Sequence, residues 1–105
     1  MIRKGNEALV REFQGVSFDV LAVGEKSMVT KMRYRAGNRV ELHSHPNEQS
    51  GYITSGSYRI TISGRTEVLG PGDSYSIPEN VPHSFEVIEP GEVIDVFTPI
   101  RIEYL

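Results

Sequence analysis

The chain contains no cysteine. That absence excludes disulfide bonds, thiolate chemistry and a cysteine-built zinc finger, so any metal has to be held by nitrogen and oxygen donors. No apolar run approaches the length of about 20 residues that a membrane-crossing helix needs, and the opening MIRKGNEALV is too polar for a secretory signal. A cytoplasmic location without a membrane partner is therefore expected. Lysines and arginines number 11 against 14 acidic residues, the net charge is −3, and the basic residues form no run, which argues against a nucleic-acid partner. No window has a convincing helical period, no glycine-rich loop leads into a helix to cradle a phosphate, and no internal repeat is present. With 105 residues, a single domain over 1–105 is expected, long enough to bury one core.

Histidine is scarce too, and its placement is informative. All 3 histidines fall in two contexts, His43 and His45 in HSHPNEQ and His83 in IPENVPH. In an extended strand residues i and i+2 face the same way, so His43 and His45 would aim two imidazoles at one point. A turn at Pro46-Asn47-Glu48 can then return the Gln49 amide oxygen to that point. If His83 joins them, every histidine serves one site. A lone histidine on a strand is more often a surface residue or a satisfied polar group; the pair and its proline-bounded turn shift the balance toward a metal. No Ser-His-Asp arrangement is persuasive, because each histidine already has this role to fill.

Around that stretch the chain reads as short strands. VSFDVLAV buries Val16, Phe18 and Val20 on one side, and SMVTKMRYR places Met28, Thr30, Met32 and Tyr34 on one face. After Ala36-Gly37-Asn38 a further strand carries Val40, Leu42, His43 and His45 up to Pro46. Turn punctuation recurs at Ser55-Gly56-Ser57, Ser63-Gly64-Arg65, Gly70-Pro71-Gly72-Asp73, Pro78-Glu79-Asn80 and Glu89-Pro90-Gly91-Glu92. Segments rich in Ile, Val, Tyr, Thr and Phe lie between, which predicts an all-β sandwich or small barrel. Met1 to Glu12 have no clear period and are expected to form an arm or an edge strand. By parity, Glu41 should face inward with His43 and His45. Gln49, Gly51 and Ile53 should share a face, with Glu48 turned away, and so should Val93, Asp95 and Phe97. An inward Asp95 needs a reason, since a buried carboxylate without a partner is costly. A cation site supplies one.

These residues resemble the cupin superfamily of small metal-binding barrels. Gly37, five residues, His43-Ser-His45, three residues, Gln49, six residues and Gly56 is similar to the first cupin motif, with Gln where Glu is more usual. Gly72, five residues, Pro78, Asn80 and His83 is similar to the second, with Asn80 at a usual Gly position and Val87 at a usual Asn position. The resemblance covers residues 37 to 87 and implies a double-stranded β-helix, a jelly-roll barrel. It also implies one divalent transition metal, whether Ni, Zn, Fe, Mn or Co, held by His43, His45, Gln49 and His83. The runs HSHPNEQ, PGD, IPENVPH and DVFTPIR further resemble small single-domain cupins that linearise unsaturated uronates in pectin and alginate breakdown. That likeness implies a catalytic Asp95 aided by Arg101, and a substrate pocket to which Phe97 and Arg101 contribute. Gly51 offers no polar side chain where those enzymes could use one to hold substrate. Similar cupins pair through sheet faces and exchanged N-terminal strands, so a homodimer is expected, with residues 1–12 as the exchanged strand or arm.

The donor set speaks to chemistry on its own. Three imidazoles and an amide leave the double charge of a divalent ion uncompensated, where a Glu in place of Gln49 would cancel one unit. Such an ion is a stronger Lewis acid and favours anionic ligands, such as the carboxylate of a small sugar acid or keto acid. For ring opening, Asp95 would carry a proton between ring hydroxyl and enol carbon, and Arg101 would grip the substrate carboxylate. Bland readings stand beside these: Arg101 as a terminal surface residue and Phe97 as core. Two other functions compete, a metal-dependent dioxygenase and a non-catalytic ligand-binding or sensor barrel.

Overall fold

Alternating burial sets the strands. The structure, a computed structural model, describes residues 1–105. In β2 (Val16–Val23) the side chains of Val16, Phe18 and Val20 are fully buried, and in β3 (Met28–Tyr34) Met28, Thr30, Met32 and Tyr34 all face inward, as the period of two requires. The remaining strands are β1 (Leu9–Phe13), β4 (Arg39–His43), β5 (Glu48–Ile53), β6 (Ser57–Ile62), β7 (Arg65–Leu69), β8 (Ser74–Ile77), β9 (His83–Glu89) and β10 (Gly91–Thr98). The only helical pieces are single 3-10 turns at Gly5–Glu7 and Ile102–Tyr104. No helix is long and apolar enough to cross a membrane.

The strands form two antiparallel sheets, a six-stranded one in the order β1-β2-β3-β10-β5-β8 and a four-stranded one in the order β4-β9-β6-β7. Their inner faces pack as a jelly-roll barrel around 15 apolar residues, among them Phe18, Ile53, Tyr58, Ile77, Phe85 and Val93. Tight turns close the hairpins. At Gly56 the backbone takes φ +84°, and a Cβ there would stand 2.6 Å from the Glu89 carbonyl oxygen, so both conformation and space demand glycine.

Two expectations about strand parity change at β4. Glu41 points to solvent, its side chain 70% exposed, and Leu42 is exposed as well. The cause is a register irregularity between Val40 and His43 in the β4–β9 pairing, a bulge that resets which residues face the core. Strand β4 ends at His43, so His45 sits in the following loop rather than on the strand. The i, i+2 strand geometry therefore does not bring these two rings together; a strand end and a loop do. The N-terminal segment contains an edge strand, β1, which pairs with β2 of the same chain from Leu9↔Val20 to Phe13↔Val16.

Candidate metal centre

Three strands and one loop converge on a single point inside the barrel. His83 opens β9 and is paired in register with His43 at the end of β4. His45 comes from the loop after β4, and Gln49 from β5. The ring centroids of His43 and His83 lie 4.3 Å apart, and those of His45 and His83 lie 4.8 Å apart. One nitrogen from each of the three rings lies within 4.8 Å of the others. His45, His83 and Gln49 are buried, and His43 is half-buried.

What each ring does with its other nitrogen decides whether this cluster suits a metal. Nδ1 of His43 is 2.9 Å from the Glu41 carbonyl oxygen, Nδ1 of His45 is 2.9 Å from that of Asn47, and Nδ1 of His83 is 2.9 Å from that of Val81. A carbonyl only accepts, so each Nδ1 carries the proton and each Nε2 presents a lone pair. Burial pushes all three imidazoles toward the neutral form, His83 down to about 4, and the Arg101 charge adds to the effect. Neutral rings oriented by backbone carbonyls through Nδ1 are what metal-ligating histidines require. Gln49 sharpens the argument. Its side-chain amide lies between Asp95 and His45, with Oε1 3.1 Å from His45 Nε2. With the His45 proton on Nδ1, that contact sets an amide oxygen against a ring lone pair, an arrangement that a cation between them would satisfy. The donors present fit a divalent metal, which His43, His45, His83 and Gln49 would hold.

The other sequence-predicted residues surround this cluster. Asp95, on β10, is 2% exposed. Burial pushes its pKa up to about 6, while hydrogen bonds from Tyr75 and Gln49 and the charge of Arg101 hold it back. Phe97, two residues on, is both core and wall, since its ring meets that of His45 at 5.8 Å edge-on. Arg101 is not a surface residue. It is 6% exposed, its guanidinium carbon lies 5.0, 5.4 and 4.3 Å from the rings of Phe13, Phe97 and Tyr104, and its Nε donates to Glu103 at 2.8 Å. The aromatic cage makes burial of that cation tolerable.

Four further residues contribute to the site. Phe13 of β1 lies 5.3 Å from the His43 ring, so the N-terminal strand walls the site, and Tyr104 completes the cage from the C-terminal turn. Asn47 is buried, donates from Nδ2 to the Pro99 carbonyl at 2.7 Å and accepts from His45, tying the metal-side loop to the segment before Arg101. Tyr75 of β8 donates its phenolic O–H to Asp95 Oδ1 and stands over Gly51. Asn47 lay inside the HSHPNEQ stretch, and a glycine inside a strand such as Gly51 is itself a sign of close approach. Nothing in the sequence linked Phe13 or Tyr104 to the histidines, because sheet order decides those contacts.

Fold and site together define a small all-β barrel with an inward histidine cluster suited to a metal. Residues 30–97 match the family described as cupin domain, and the chain belongs to it. It is 28% identical over 93 residues to the pectin degradation protein KdgF of Dickeya dadantii, a match that spans 87% of this chain and 84% of that one. The structure of KdgF from Halomonas superposes with a TM-score of 0.90 at 25% identity, covering 100% of this chain and 98% of that one. A different kind of relative is the HTH-type transcriptional regulator PuuR of Escherichia coli, 32% identical over 92 residues, 82% of this chain but only 50% of the regulator.

Proposed function

We propose that this chain is a metal-dependent cupin enzyme that opens the ring of a small unsaturated uronate, giving the linear keto acid. The observation that carries the reading is the buried Asp95 carboxyl. It stands beside Gln49 and Tyr75 on one side and within the field of Arg101 on the other, at a histidine cluster whose free nitrogens converge. Full-length similarity to pectin degradation proteins supports the substrate class.

A divalent ion held by His43, His45, His83 and Gln49 would supply Lewis acidity without offsetting its charge, because all four donors are neutral. Asp95 is the proton carrier. Its pKa lies nearer neutrality than that of an exposed carboxyl, so it takes the proton of a ring hydroxyl and returns it to the enol carbon. Arg101, fixed by Glu103 and three rings, binds the substrate carboxylate, and Phe97 packs against the substrate and excludes water. The reading includes a cytoplasmic, single-domain protein acting as a homodimer. Exposed Val96 and Tyr52 on the outer face of the larger sheet supply apolar surface for pairing, which sedimentation at micromolar concentration tests.

The test is turnover of a 4,5-unsaturated monouronate by the metal-loaded protein, followed as loss of the ultraviolet absorbance of its double bond. Asp95→Asn should abolish turnover while keeping the metal. Full activity of that variant would overturn the proton-carrier role. Similarity to a transcriptional regulator favours one other reading, a ligand-binding barrel without chemistry. A sugar acid that binds and is recovered unchanged would decide for it.

A further inference from the structure

The space beside the histidines is smaller than the substrate that Asp95 and Arg101 would meet there. The cavity lined by His43, Gln49, His83, Asp95, Phe97 and Arg101 measures about 20 Å³, room for an ion or a water but not for a sugar ring. A side chain that now fills the barrel therefore has to leave. Most of the lining is held by sheet: Phe13 ends β1, which pairs with β2 along its whole length, and Phe97 lies on β10, which pairs on both sides. Tyr104 is different. It lines the same cavity from the single 3-10 turn Ile102–Tyr104, whose own backbone bonds, from Tyr104 to Arg101 and from Leu105 to Ile102, reach no other element. One bond ties that backbone to the barrel, from Nε of Arg11 to the Tyr104 carbonyl at 3.1 Å. Tyr104 is the turn's only buried residue, and its ring rests on Phe18 at 4.4 Å, on Phe97 at 5.7 Å and on the Arg101 guanidinium at 4.3 Å. Its hydroxyl has no hydrogen-bond partner in the protein.

We infer that Tyr104 is a plug: its ring occupies the place of the substrate's ring and swings out of the barrel to admit a small sugar acid to Asp95 and Arg101. The identity of the ligand rests on the uronate reading above; the plug itself rests on the cavity and the turn. A phenol is a six-membered ring bearing one oxygen, so its departure leaves a space of the shape a monosaccharide ring needs, continuous with the cavity at the histidines. That space keeps Phe13, Phe18 and Phe97 as walls, apolar surface for the less polar face of a sugar ring. Arg101 is uncovered by the same movement. Glu103 still holds its Nε at 2.8 Å, while the face under the Tyr104 ring opens and the terminal amino groups can take a carboxylate. Only the open fraction of the protein binds, so the apparent affinity is reduced by that fraction, and a change that loosens the plug tightens binding.

Calorimetric titration of D-galacturonate into the zinc-loaded full chain, with the ring protons of Tyr104 followed by NMR, tests the plug. In the wild type, binding should carry those signals from the shielded positions that stacking imposes to the positions of an exposed tyrosine. Tyr104→Ala should bind about tenfold more tightly, because no ring has to be displaced. Arg11→Gln, which cuts the tether and leaves every core side chain in place, should tighten binding about fivefold. Tyr104→Phe keeps the ring and should match the wild type. Tyr104 signals that stay put while the acid binds, an affinity unchanged in the folded Arg11→Gln variant, Tyr104→Ala binding no tighter than Tyr104→Phe, or no binding by any of these proteins would each overturn the inference. Turnover of the unsaturated monouronate is measured in parallel. Binding with a displaced Tyr104 ring and no turnover sinks the ring-opening reading and keeps the plug, and turnover with Tyr104 unmoved does the reverse.

Discussion

Replacing Gly51 with alanine adds one methyl group, and the structure says where it must go. Gly51 pairs with Asp95 of β10 on one side and with Tyr75 of β8 on the other, so its backbone is pinned between two ladders. A Cβ built there falls inside the Tyr75 phenol and 2.6 Å from Asp95 Oδ1. The strands hold, so the ring has to leave, and a cavity of about 350 Å³ beside it, between the edge strands β7 and β8, is where it can go. Leaving breaks the bond to Asp95, a hydrogen bond to an ionisable group worth about 1.5–3 kcal/mol. It also gives up the edge contact with Phe85, about 0.5–1.5 kcal/mol. Against these losses, alanine restricts the unfolded chain and returns about 0.4–1 kcal/mol.

The balance is a destabilisation of about 1–4 kcal/mol, or a fall of about 0.5–2 M in the urea midpoint at the slope usual for a small domain. Equilibrium urea unfolding of four proteins measures it: wild type, Gly51→Ala, Tyr75→Ala and the double variant. If the Tyr75 ring is the main obstacle, Gly51→Ala loses the Tyr75 part of its cost in the Tyr75→Ala background, and only the displacement of the Asp95 carboxylate remains. Additive effects, within about 0.5 kcal/mol, would refute the close approach of Gly51 and Tyr75.

Three further outcomes follow from individual side chains. Elemental analysis should find about one transition metal per chain in the wild type and a loss of it in His83→Ala, and saturating metal at a hundredfold over Kd should raise stability by about 2.7 kcal/mol. A wild type that stays metal-free after reconstitution would refute the ligand set. Thr30 is fully buried and its Oγ1 has no partner, so the isosteric Thr30→Val should stabilise by about 1 kcal/mol in thermal unfolding; a loss of stability would reveal a partner for the hydroxyl. Asn47→Ala removes the buried bond to Pro99 and should cost about 1–3 kcal/mol, with weaker metal binding because His45 leans on the same residue. Unchanged metal affinity in that variant would show that the loop positions His45 without the side chain.

The face assignments on β2, β3, β5 and β10 were legible because they depend on alternation alone, and alternation is written in the order of residues. Gln49, Gly51 and Ile53 alternate inward on β5, as do Val93, Asp95 and Phe97 on β10. Glu41 defeated the same reasoning because a bulge costs the backbone little and leaves no residue signature in RVELH. Arg101 could be read from sequence as surface or site, and only its three aromatic neighbours, from β1, β10 and the C-terminal turn, show how its charge is buried. Contacts of that kind depend on sheet order. Tyr75 reaches Asp95 because β8 and β10 flank β5, an adjacency that neither segment encodes by itself.

Charge balance ties the candidate site to the kind of ligand it should accept. His43, His45, His83 and Gln49 contribute no charge, Arg101 contributes one positive charge behind three rings, and Asp95 and Glu103 contribute the nearest acidic groups. Glu103 is already spent on Arg101. Asp95 is buried, but with its pKa raised only to about 6 it is largely ionised at neutral pH and offsets one unit of charge. A divalent ion at the histidines therefore leaves an excess of positive charge in a site screened little by water. A neutral ligand would leave that excess in place. A carboxylate spanning the cluster and Arg101 would remove most of it, so affinity should fall steeply when the acid of a sugar is replaced by its neutral alcohol or amide. Calorimetric titration of galacturonate beside galactose measures this directly, and equal affinities would mean that the neutral donor set does not select for anions.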